Sequence, residues 1–270
     1  DSFKTIHIYS GQGDKTPIFF AHGGNIGPEA YIPLAQKLPE DQPFYCFENY
    51  NIYHSDRRIR GVASLAEKYI EFLRELVPRG PYILGGWSFG GLLAFEMARQ
   101  LEAAGEGVEH LYLLDPRLLR TGEERELREK LLETNNYREY LSRDPLFERF
   151  RNLGLLDKLI ENNREVGRDI QAYIPASGYG GETTLFKAAK ADPADPGASP
   201  ETLQILRRFQ AIADESPDNG FGGYVPRLRI IEIPEIHDGF MRGEALEIIA
   251  SVIGNGCPAC RVFYRSGQGW

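Results

Sequence analysis

The segment Gly86-Trp87-Ser88-Phe89-Gly90 lies between an apolar run, Pro81 to Leu84, and a helix-forming stretch, Leu92 to Leu101. It reads as a strand, a tight turn carrying a serine, and then a helix. Where strand and helix pack this closely, side chains at 86, 90 and 91 would obstruct the turn, which accounts for the glycines there. A serine so placed stands clear of neighbouring backbone. The helix N-terminus directs positive potential at any oxyanion forming beside it. Ser88 is therefore a candidate nucleophile, with an ordinary glycine-rich strand-to-helix turn as the alternative.

Around this elbow the chain alternates strands and helices. Pro17 to Ala21 reads as a short strand ending at His22-Gly23-Gly24, followed by helical spacing over Tyr31 to Leu38 that Pro39 closes. Phe44 to Phe47 is a second strand. Val62 to Val77, with Leu65, Tyr69, Phe72, Leu73 and Leu76 on one stripe, is an amphipathic helix stopped by Pro78. Tyr82 to Leu84 leads into the elbow, and Val108 to Leu114 forms the next strand, ending at Asp115. Such alternation implies an α/β fold, a mostly parallel sheet flanked by helices, with a ligand site at the strand C-terminal ends.

From Leu118 the pattern turns charged and helix-prone: Glu123 to Leu141, Asp144 to Leu153 and Leu155 to Tyr173. An inserted helical lid over about 118–180 is expected, within one domain spanning 1–270 whose core is 1–117 and 181–270; a purely structural insertion is the alternative. Strands resume at Thr183 to Phe186. A Pro- and Asp-rich linker, Ala191 to Pro200, precedes a helix over Glu201 to Ala213. Leu228 to Ile233 is the last expected strand, and Glu244 to Ile253 the closing helix.

The 270 residues suffice for one large domain, and the net charge of −8 is spread along the chain. No Lys/Arg tract interleaved with aromatics marks a nucleic-acid partner. No apolar stretch approaches the roughly 20 residues needed to span a bilayer, and Asp1 to Tyr9 lacks the blocks of a signal peptide. Three cysteines make no disulfide framework, which suits a reducing cytoplasm. Cys257 and Cys260 have redox or half-zinc spacing but lack a second ligand pair, so two free thiols is the simpler reading and no metal site is expected.

A serine nucleophile needs a base, and the base a partner that fixes its tautomer. Of the five histidines, His237 follows the final strand and can approach the elbow. His22 ends the first strand, where its imidazole braces the loop; His7, His54 and His110 read as surface or packing residues. Asp115 ends the strand after the elbow helix and is the candidate orienter, with a plain Asp-Pro turn as the alternative. Asp238 sits too near His237 to serve. Ser88, Asp115, His237 is the chain order of α/β-hydrolases. Backbone N–H groups of Phe89 and of Gly24, in the loop after the first strand, are the candidate oxyanion donors.

The stretches PIFFAHGGNIGPEAYIPLAQKL (17–38), GGWSFGGLLAFEMARQL (85–101), LYLLDP ending just past Asp115, and TTLFKA (183–188) together resemble the off-loading thioesterase domains of nonribosomal peptide and polyketide synthetases. The resemblance covers almost the whole chain. It implies an α/β-hydrolase fold and transfer of an acyl or peptidyl chain from the phosphopantetheine arm of a carrier protein to Ser88, then release by water or an internal nucleophile. It implies no permanently bound cofactor. The segment around His237 lacks the glycine often found before the family's histidine, and no N-terminal helix pair of the dimerising kind is seen, so a monomeric domain is expected. Lid aromatics Tyr137, Tyr140, Phe147 and Phe150 are expected to decide whether water reaches the acyl group. Arg57, Arg58 and Arg60 form a candidate basic patch for an acidic carrier, or a solvated loop. Three other functions remain open: an editing thioesterase, a free-standing carboxylesterase or lipase, and a non-catalytic binding module on the same scaffold.

Overall fold

Eight strands form one sheet in the order β1-β3-β2-β4-β5-β6-β7-β8, in a computed structural model that describes residues 6–134, 147–191, 198–255 and 263–264. They are β1 (Ile6–Ser10), β2 (Ile18–Ala21), β3 (Phe44–Phe47), β4 (Tyr82–Trp87), β5 (Val108–Leu114), β6 (Thr183–Ala188), β7 (Leu228–Ile233) and β8 (Phe263–Tyr264). Strands β2 to β7 pair in parallel, whereas β1 and β8 run antiparallel to β3 and β7 at the two edges. The expected mostly parallel α/β sheet is thus observed. The two antiparallel edges are additions to it.

Alternation along the buried strands sends successive side chains to opposite faces. In β2, Phe19 and Ala21 join the cluster under α3 (Val62–Leu76) and α4 (Phe89–Ala103), while Ile18 and Phe20 join the other, beneath α9 (Gly243–Asn255). Helix α3 buries Leu65, Ala66, Tyr69, Ile70 and Leu73 and leaves its polar stripe outward, as its spacing predicts. Before β3 the chain forms a 3₁₀ turn (Pro28–Tyr31) and then a one-turn helix α1 (Ile32–Ala35), shorter than the expected Tyr31 to Leu38 helix. After β3 comes another one-turn helix, α2 (Tyr50–Tyr53).

Between β5 and β6 the chain leaves the sheet as α5 (Gly122–Thr134), α6 (Glu148–Asn152) and α7 (Leu156–Ala172). Helix α5 packs against α7 and against α8 (Pro200–Asp214), which Ser199 caps by accepting from the Thr202 N–H at 3.1 Å. Tyr137, Tyr140, Cys257 and Cys260 lie outside the described residues, as does 192–197 of the linker. Phe147 and Phe150 are almost fully enclosed, 2% and 0% exposed. They are buried in the cluster that also holds Ile26, Trp87, Leu159 and Ile160, and so act in seating the insertion on the core.

Candidate active site

Strand β4 ends at Trp87, and Ser88 takes φ 57° and ψ −122° before α4 begins. A side chain rarely adopts this backbone region, and it persists because the surroundings over-determine it. A Cβ on Gly86 would come within 2.4 Å of the Gly90 backbone, and one on Gly90 within 2.4 Å of the Ala21 carbonyl oxygen. The Ser88 N–H donates to the Leu114 carbonyl at 2.9 Å, tying the elbow to the end of β5. The buried Tyr31 hydroxyl accepts from the Trp87 N–H at 2.9 Å and donates to the Ala21 carbonyl at 2.7 Å, which stitches the ends of β2 and β4 together.

Asp115 follows β5 with φ 51°, and its N–H donates to the Phe186 carbonyl at 2.8 Å. One carboxylate oxygen lies 2.8 Å from His237 Nδ1; the other accepts from the Ala188 N–H at 3.2 Å and the Asn219 side-chain amide at 2.9 Å. A carboxylate accepts only, so Nδ1 carries the proton and Nε2 is left with the lone pair a base needs. His237 opens a 3₁₀ turn (His237–Gly239) after β7, with the indole of Trp87 at 5.6 Å and the ring of Phe240 at 6.3 Å on its flanks. Ser88, Phe89, Asp115, Asn219 and His237 line one cavity of about 240 Å³. The missing glycine before His237 has no visible consequence for this placement.

The loop after β2 is fixed from three sides. His22 is fully buried, and its Nδ1 donates to the Gly23 carbonyl at 2.6 Å. Burial pushes its pKa down to about 4, so the ring is neutral. Because a peptide unit is planar and trans, holding the Gly23 carbonyl against the buried His22 ring turns the Gly24 N–H the opposite way. The Gly24 carbonyl accepts from Asn162 Nδ2 at 2.9 Å and from Asn49 Nδ2 at 3.4 Å. A Cβ on Gly24 would stand 3.7 Å from that of Phe89, so the two residues that carry the candidate oxyanion donors are neighbours.

Two contributors escape a reading of the sequence. Asn219 sits in the Pro217-Asp218-Asn219-Gly220 turn, a strong turn signal that says nothing of a carboxylate 104 positions earlier. Asn162, on the buried face of α7, is a polar interruption in an apolar stripe, and that is the one signal it offers. Arg58 turns inward: its Nη1 donates to Asn162 Oδ1 at 3.0 Å, and its side chain is only 13% exposed, so it is not part of a surface basic patch. Among the described residues no group of three or more His, Cys, Asp or Glu is arranged to hold a metal ion. Nor is any helix among them long and apolar enough to cross a membrane.

The family model described as a thioesterase domain matches residues 16–192, well over half of the chain. The chain belongs to the thioesterase family. Polyketide synthase PksR of Bacillus subtilis (strain 168) is 37% identical over 99 residues, which is 37% of this chain and 4% of that synthase. The NocB thioesterase domain, solved as a covalent complex with a fluorophosphonate nocardicin G analog, superposes with a TM-score of 0.65 at 24% identity, covering 92% of this chain and 97% of that one. The four-domain nonribosomal peptide synthetase AB3403 gives a TM-score of 0.67 at 17% identity, over 94% of this chain and 20% of the synthetase. At these identities the two structures establish the shared fold. This thioesterase is an enzyme of the α/β-hydrolase type, and it spans a small part of the large synthases it resembles.

Proposed function

We propose that this thioesterase domain terminates a synthetase assembly line, taking an acyl or peptidyl chain from the phosphopantetheine thioester of a carrier protein and releasing it as an acid or a ring. The observation that carries the reading is the cavity shared by Ser88, Phe89 and the hydrogen-bonded Asp115–His237 pair. His237, oriented by Asp115, removes the Ser88 hydroxyl proton as Oγ attacks the thioester carbonyl. The N–H groups of Phe89 and Gly24 receive the developing oxyanion. The carbon–sulfur bond breaks, the pantetheine thiol leaves with the proton from His237, and an ester to Ser88 remains. In the second half His237 deprotonates water, or a hydroxyl or amine of the same chain, and Ser88 regains its proton as the product leaves. The chemistry needs no resident cofactor beyond the carrier's arm. A reducing cytoplasm is the compartment inferred, supported by the buried free thiol of Cys46.

Intact-protein mass after incubation with an octanoyl thioester of pantetheine tests the reading, with a matched oxyester and Ser88→Ala alongside. The expected result is an acyl adduct on the native chain, absent from Ser88→Ala and formed faster from the thioester. Equal reaction of Ser88→Ala, or preference for the oxyester, would overturn it.

A further inference from the structure

Away from Ser88 the cavity wall combines apolar and cationic side chains. Leu92, Leu119, Ile170, Phe209 and Ala213 supply the apolar part, and Arg117, Arg128, Lys187 and Lys190 the cations, in a chain whose net charge is −8. Two carboxylates share the lining, and both have hydrogen-bond partners: Asp115 holds His237, and Asp214 accepts from Gln210 at 2.8 Å. Two of the cations are occupied as well. Arg117 donates to Glu124 at 2.8 Å and lies over the Phe209 ring, and Lys187 donates to the Ser216 carbonyl at 2.8 Å. Among the described residues Arg128, on α5, makes no hydrogen bond or ion pair, although its Nε is buried; Lys190 likewise has no side-chain partner there.

A buried donor without an acceptor carries a desolvation cost that a ligand can remove. Resting on the off-loading reading above, we propose that this cavity selects acyl chains bearing a carboxylate beyond the thioester, which Arg128 receives with Lys190 while the methylenes lie against Leu92, Leu119 and Ile170. A guanidinium suits a planar two-oxygen anion better than any neutral group. A purely apolar chain would leave the buried Nε of Arg128 without an acceptor, which disfavours it. The volume, about 240 Å³, lies below the usual range for drug-sized ligands and fits a short chain inside the wall.

The test compares N-acetylcysteamine thioesters of suberic acid, its methyl half-ester and octanoic acid, equal in carbon chain, on the native protein, Arg128→Met and Arg128→Lys. The free acid is expected to exceed the methyl ester in kcat/KM on the order of tenfold. That ratio should fall towards one in Arg128→Met, and Arg128→Lys should retain most of it. Thermal melting and fluorophosphonate labelling of Ser88 report whether each variant is folded. If Arg128→Met does not fold, loss of the native preference with added salt serves in its place. Equal turnover of acid and methyl ester by the native protein would overturn the inference while leaving Ser88 chemistry standing. No adduct from any thioester would overturn the off-loading reading and this one with it. Octanoyl thioesters of pantetheine and phosphopantetheine form the last arm. A preference for the phosphorylated arm that Arg128→Met abolishes would assign the cations to the arm's phosphate and overturn the acyl carboxylate.

Discussion

Asp115 accepts three hydrogen bonds from three directions, from His237, Ala188 and Asn219, so its orientation leaves little freedom to the imidazole it holds. Asp115→Asn keeps the shape and reverses one valence. An amide nitrogen turned to His237 donates, which forces the proton from Nδ1 to Nε2 and removes the base from the face towards Ser88. The expected outcome is a fall in kcat of roughly 10⁴ with an unchanged melting temperature. A loss under tenfold in steady-state kinetics on an acyl thioester would show that Asp115 does not orient the base. Ser88, Asp115 and His237 could be picked out as candidates because Ser88 and Asp115 directly follow strands and His237 lies in the short loop after β7, positions that residue type and local pattern reveal together. Asn219 was not, because its part comes from a tertiary contact and its turn signal is shared by countless surface loops.

Among elements, the glycine loop and the inserted helix α7 are joined through two neighbouring asparagines of the helix. Asn162 donates to the Gly24 carbonyl and accepts from Arg58, while Asn25 donates to Asn163 on the same helix. The insertion therefore touches the loop that presents the Gly24 N–H, and its seating on the core affects how firmly that donor is aimed. Asn162→Leu removes the donation and the acceptance; Asn162→Asp keeps the acceptor for Arg58 and loses the donor to Gly24. Both variants should lower kcat roughly tenfold or more with KM little changed, since a misaimed oxyanion donor weakens the transition state rather than substrate binding. An Asp variant as active as the native protein would mean that Asn162 serves only to anchor Arg58. The long periodic elements were readable from apolar spacing, α3 most clearly. The edge strand β1 escapes that reading because it is five residues long and mostly half-exposed, and the one-turn helix α2 is too short for a helical period to appear; α1 fills only part of the helical spacing over Tyr31 to Leu38.

For the molecule as a whole, burial of a titratable ring inside the site makes stability depend on pH. His22 has a folded pKa near 4 against 6.5 for a free imidazole, lowered by burial and partly restored by the Gly23 carbonyl and by Glu48. Between those values the unfolded chain binds a proton that the folded chain does not, so stability rises with pH across the window and falls as the solution is acidified from about 6.5. The full difference is about 3 kcal/mol, a sizeable part of the roughly 5–15 kcal/mol by which domains are stable. His110, also lowered by burial, adds in the same direction. Glu96 is different: burial raises its pKa, but hydrogen bonds from Arg99, Tyr173 and Gln100 bring it below the ordinary value. Its contribution is complete above the unfolded carboxylate pKa, about 4.3, and is lost only below it. Asp169, its pKa raised by burial, also titrates above its ordinary value, so denaturant titrations from pH 5 to pH 7.5 isolate His22 only as the difference between the native chain and a His22 variant. His22→Gln should be less stable than the native chain at pH 7.5 and closer to it at pH 5, with His110 keeping a residual slope in both. Parallel pH profiles for the two proteins would show that His22 is charged in the folded state, and the neutral brace assigned to the Gly23 carbonyl would fall with it.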